Sequence, residues 1–99
     1  MSRITVEWVK DNLPEYLNVI EIPSKGVCGL SVMITTTGLF INLDTDTYEG
    51  RYCYHTYAEA RDALRTWDGL SEDPPGNWIK YKSIFGSKAN PNYKSDDDD

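Results

Sequence analysis

The amino-acid sequence predicts an α+β fold, in which an antiparallel sheet of four to five strands carries one main helix on one face and a short N-terminal helix beside it. Three observations lead there. Between residues 17 and 56 the chain runs through short stretches rich in β-branched and aromatic residues, each closed by a brief turn, so consecutive strands pair as a meander. Residues 56–68, "TYAEARDALRTWD", switch to a helical period. A length of 99 residues leaves room for one core, and 39% hydrophobic with 12% aromatic residues suffices to fill it. One domain over residues 1–91 is expected, followed by a flexible acidic tail over 92–99.

Taken in order, "TVEWVKDN" at 5–12 is a helix, with Thr5 placed to cap the first free amides and Glu7 near the positive end of the dipole. Leu13-Pro14 disfavours its continuation. "LNVIEI" at 17–22 is a strand, "PSKG" a turn, and "VCGLSVMITT" at 27–36 the longest apolar run and a central strand. "LFINLDT" at 39–45 alternates Leu39, Ile41 and Leu43 against Phe40, Asn42 and Asp44. In "RYCYHT" at 51–56, Tyr52 and Tyr54 face away from Cys53 and His55, so one of these pairs is expected to be poorly covered. Thr56 and Glu59 stand at capping-box spacing, and Ala60, Ala63, Leu64 and Trp67 make one apolar stripe that Asp68-Gly69 brings to an end. Pro74 and Pro75 make a rigid connector. "NWIKYKSIF" at 77–85 is the returning strand, with Ile79, Tyr81 and Phe85 inward and its lysines wet. "GSKANPNYKS" has little to bury.

The net charge is −6, unevenly spread. Residues 1–50 balance at −4, residues 51–95 at +2, and Asp96–Asp99 add −4. The body is therefore only mildly acidic, which argues against strong direct binding to nucleic-acid phosphates without making the chain a nucleic-acid mimic. Lys80, Lys82, Lys88 and Lys94 form a local patch equal and opposite to Asp96–Asp99, so the tail is expected to fold back and shield it. No apolar run approaches the roughly 18–20 residues of a membrane span. The opening "MSRITVEWVKDN" lacks the apolar stretch of a secretory signal, so a cytoplasmic location is expected.

Few residues offer chemistry. The two cysteines, Cys28 and Cys53, read as buried free thiols, with a disulfide or metal role as the alternative. Cys53 and His55 share a strand face and have the makings of a nucleophile–base pair or half a zinc site. No orienting group, oxyanion site or fourth ligand accompanies them, so an inward Cys53 with His55 near the helix cap is the preferred reading. In "NLDTDTYEG", Tyr48 and Glu49 stand where a calcium loop needs an oxygen ligand and a glycine, which leaves an acidic hairpin tip. "WIKYK" interleaves lysines with aromatics, a pattern that also holds single-stranded nucleic acid. No Walker loop, G-x-G-x-x-G, G-x-S-x-G or H-E-x-x-H is present, so no catalytic residues, metal or cofactor are assigned and the chain is read as no enzyme.

The run "TWDGLSEDPPGNWIKYK" at 66–82, with Asn90-Pro91, resembles a segment of small uncharacterised phage and prophage proteins, over about a quarter of the chain. Small size, acidity and the lack of a cofactor motif are also similar in style to phage anti-defence proteins, including anti-CRISPR inhibitors. The resemblance implies a non-enzymatic protein that engages and blocks a host protein or protein–nucleic-acid complex in the cytoplasm of an infected or lysogenic bacterium. Asp44, Asp46, Tyr48, Glu49, Tyr52, Tyr54 and Trp78 are the expected partner-binding residues, since aromatics concentrate interface energy. An uncovered sheet face also suits a homodimer. The alternatives are a sequestering protein for a small molecule or nucleotide, with a pocket between Trp67 and Trp78, and a thiol enzyme centred on Cys53.

Overall fold

The computed structural model describes residues 4–45 and 47–94. The chain is α+β. Helix α1 (Val6–Asn12) leads into strands β1 (Leu17–Ile22), β2 (Gly26–Val32), β3 (Thr37–Ile41) and β4 (Gly50–Tyr54); helix α2 (Tyr57–Thr66) follows, then β5 (Lys80–Ser83) and β6 (Gly86–Ala89). All neighbours are antiparallel, in the sequential order β1-β2-β3-β4-β5-β6. The sheet thus has six strands where four to five were expected. The additional one is β6, whose "GSKA" carries no β-branched or aromatic residue and exists by pairing with β5 across the two-residue turn Ile84-Phe85.

The two helices lie on opposite faces. On one, Ala60, Ala63, Leu64 and Trp67 of the α2 stripe pack on Leu30, Leu39 and Tyr54. On the other, Val9 of α1 packs with Val19, Val27, Phe40 and Leu43. Both helices start at the threonines the sequence marks: Thr5 Oγ1 accepts from Trp8 N (3.0 Å) and Thr56 Oγ1 from Glu59 N (3.1 Å). The alternation expected for 39–45 breaks at Asn42, whose φ of 51° reverses the pleat, so Leu43 joins Phe40 on the α1 face instead of Leu39 and Ile41. Each strand-face pattern is therefore local, holding only between such irregularities.

The connector between α2 and β5 decides the rest. Gly69 (φ 83°) passes so close to the β1–β2 turn that a Cβ there would overlap the Pro23 carbonyl oxygen, and Ser24 Oγ donates to the Gly69 carbonyl (2.7 Å). From that anchor the chain folds back across β4. Tyr54 Oη donates to Pro75 O (2.8 Å), and Tyr52 Oη donates to Asp73 Oδ1 (2.8 Å). Beyond β6, Asn77 closes two bonds with the Lys94 backbone (2.8 Å each) and Asn90 Nδ2 donates to Trp78 O (2.9 Å). Residues 92–94, placed in the expected tail, are thus fastened to the domain; Asp96–Asp99 lie outside the described residues.

Candidate binding surface

Three of the expected partner-binding aromatics are core. Tyr52, Tyr54 and Trp78 are 2%, 0% and 3% exposed. The Tyr52 ring meets Trp78, Trp67 and Tyr81 at centroid distances of 5.0, 6.1 and 4.5 Å. The space expected as a pocket between Trp67 and Trp78 is therefore filled by Tyr52. Trp78 is inward because β5 begins only at Lys80, so the indole precedes the strand's alternation and arrives in the core with the connector. Cys53 is buried too, but His55 just past the strand is exposed, so of the two pairs it is the one with Cys53 and His55 that is incompletely covered.

Both thiols are buried. Burial pushes Cys28 up to about 11. Both cysteines are free, and no hydrogen bond joins Cys53 to His55 among the described residues. The His55 Nε2 instead meets the Tyr93 hydroxyl. Burial also raises Tyr52 and Tyr54 above the ordinary phenol range. No group of three or more His, Cys, Asp or Glu side chains suited to a metal occurs among the described residues.

What remains of the expected surface lies at one end of the sheet. Tyr48 stands edge-on to Phe40 (4.6 Å, 88°), so its ring is held by the α1-side core while its hydroxyl accepts from Arg51 Nη1 (3.3 Å). Asp44 Oδ1 accepts from Thr45 N (2.7 Å) and the Glu49 carboxylate from Asn42 Nδ2 (3.2 Å), so both acids also shape their own hairpin. Asp46 lies outside the described residues. Beside this hairpin, the β5–β6 turn raises Ile84 and Phe85 into solvent, 81% and 89% exposed. Phe85 was expected inward. The strand ends at Ser83, whose Oγ accepts from Phe85 N (3.2 Å), and the phenyl falls in the turn. Ile84 borders a hollow of about 310 Å³ with Tyr48, Arg51 and Lys82; Phe85 borders another of about 240 Å³ with Tyr81 and Lys88.

The lysine patch read from the sequence divides between faces. Residues directly opposite on paired strands share a face. Lys82 faces Arg51 and Arg51 faces Phe40, which places Lys80 and Lys82 on the α1 face. Lys88 faces Tyr81 on the other side, where its Nζ meets Asp73 Oδ1 (3.0 Å) and Glu72 Oε2 (3.4 Å); the Asp73 bond raises its pKa. No helix among the described residues is long and apolar enough to cross a membrane. No protein-family model, no curated protein and no solved structure matches the chain.

Proposed function

We propose that this chain is a non-enzymatic binding protein that engages and blocks a macromolecule of a bacterial host, as phage anti-defence proteins do, and that it holds its partner with the β5–β6 turn and the adjoining rim of Tyr48, Asp44 and Glu49. The observation that carries the reading is the exposed pair Ile84 and Phe85, raised on a two-residue turn away from both helices. Burying one such side chain contributes roughly 1.5–3 kcal/mol. A partner pocket recovers that contribution. The phage class itself rests on the resemblance of residues 66–82 and on size and charge. That run forms the connector and the start of β5, so the kinship it implies is one of scaffold.

The test is affinity capture from bacterial lysate with the wild-type chain, with Ile84→Ser/Phe85→Ser, and with Leu70→Ser. Leu70 is an equally exposed apolar residue, 87% accessible, on the connector. The expected result is one stoichiometric partner retained by wild type and Leu70→Ser and lost by the double variant. Equal capture by all three overturns the turn as the contact, and the absence of any partner for the wild type overturns the blocking function.

A further inference from the structure

The α1 face is covered by its helix only at the β1 side. Across β4 and β5 neither helix covers it, and there lie the exposed Lys80 and Lys82 and the half-buried Arg51, three cations in a protein of net charge −6. Arg51 and Lys82 are directly opposed across strands, and Lys80, two residues from Lys82, opposes Cys53. Among the described residues no carboxylate forms an ion pair with any of the three, whereas Arg61, Arg65 and Lys88 all have one. The Arg51 guanidinium carries a second mark: its Nε is buried with no hydrogen-bond partner among the described residues. A buried donor without an acceptor costs on the order of 1–3 kcal/mol, and such groups call for an explanation. Arg51 also forms the ridge between two hollows, the one bordered by Tyr48 and Ile84 and another of about 440 Å³ bordered by Met33, Ile34 and Ile79.

From this arrangement we infer that the open strip is a docking site for an extended acidic segment of the partner protein, with carboxylates at alternate positions and an apolar residue at each end. The inference rests on the binding function proposed above and names the partner's chemistry. Alternate side chains of an extended chain recur every 6.4–6.8 Å or so, which is also the repeat of Lys80 and Lys82 along β5. Carboxylates at that spacing meet both lysines. One of them bridges to the Arg51 guanidinium, whose fork of donors matches two carboxylate oxygens. The end residues enter the two hollows. Single-stranded nucleic acid has a similar charge spacing, but it needs flat aromatic faces for its bases. This strip has only Tyr48, and that ring is already engaged edge-on with Phe40.

The test is fluorescence anisotropy with a labelled Leu-Thr-Asp-Thr-Glu-Thr-Leu peptide, whose leucines and carboxylates share one face when extended, its Leu-Thr-Asn-Thr-Gln-Thr-Leu counterpart, and a short oligothymidylate as competitor. The acidic peptide is expected to bind at least tenfold more tightly than the amide peptide and to weaken with salt. Lys82→Glu is expected to lose at least tenfold for the acidic peptide and to gain affinity for Leu-Thr-Lys-Thr-Lys-Thr-Leu, a reversal that a misfolded variant cannot produce. Arg51→Lys, which keeps the charge and removes the fork, is expected to lose about three- to tenfold. Equal binding of both peptides, indifference to Lys82→Glu, or displacement by oligothymidylate at equal charge concentration overturns the proposal. These readouts are independent of lysate capture. A failed peptide beside a turn-dependent partner condemns the strip alone, and a bound peptide with no captured partner condemns the blocking function alone.

Discussion

At the β1 edge of the sheet, α1 packs beneath the strands and α2 lies across the neighbouring ones, so Val19 faces one core and Ile22 the other. The edge is further blunted by a register shift between Leu17 and Ile20, where Asn18 takes a φ of 54° and accepts a bond from the Tyr57 hydroxyl (2.6 Å). At the opposite edge neither helix arrives. Every residue of β6 is exposed, and the strand is held by its pairing with β5 and by Lys88 reaching back to Asp73 and Glu72. Stability is concentrated at the first edge and accessible surface at the second. A small domain has little stability to spare, and separating the two lets the bare edge vary without endangering the core.

The sharpest way to break that contrast is through Tyr54. Its ring is fully buried under Ala60 and Ala63, and its hydroxyl is satisfied by Pro75. Tyr54→Ala leaves a cavity and releases the connector together, and is expected to cost about 3–5 kcal/mol in urea unfolding, a large part of the total. Phe85→Ser, an aromatic of similar size at the bare end, is expected to stay within about 0.5 kcal/mol. Comparable losses for the two would mean that the hairpin is integral to the core.

How much of this was legible in sequence follows the range of the interactions. The caps at Thr5 and Thr56 and the α2 stripe involve residues within seven positions of each other, and all read correctly. The burial of Tyr52, Tyr54 and Trp78 depends on a connector that leaves α2, is pinned at Gly69 by a turn 45 residues earlier, and lies back over β4. No periodicity encodes that path. The same non-local step misled the site reading, since aromatics on a strand look exposed until something covers them. Ile84 and Phe85 were hidden for the converse reason: "IF" at the end of an apolar strand reads as more strand, and the turn lacks the Asn-Gly or Asp-Gly pair that marks such hairpins.

A smaller effect probes the core side by pH. Burial holds the Cys28 thiol near 11 in the fold, against an ordinary value of 9.0. Below pH 9 both states are protonated and the contribution to stability is whole. Above it the unfolded chain loses its proton first, so stability falls as pH rises, until the folded thiol ionises as well. At pH 10 that amounts to about 1.4 kcal/mol. Wild type is expected to lose this much more than Cys28→Ala between pH 8 and 10, measured as paired unfolding curves. The tyrosines raised by burial act equally in both proteins and drop out of the difference. Identical pH slopes would show that the thiol is not desolvated as the packing around it requires.

The least change in global stability is expected at Lys88, and it bears most directly on the bare edge. Its ion pairs with Asp73 and Glu72 are exposed, with the lysine side chain 41% accessible, and such pairs contribute about 0–1 kcal/mol. Lys88→Met keeps the apolar stem over the Tyr81 and Trp78 rings and removes only the charge. Global unfolding should move by less than about 0.5 kcal/mol. Hydrogen exchange is expected to separate the two edges: the β6 amides paired with β5 lose protection in the variant, while those of β2 and β3 keep theirs, because the former open locally and the latter only with the whole domain. Uniform loss across the sheet would mean that the two edges unfold as one unit, and the division between a stable half and an accessible half would not stand.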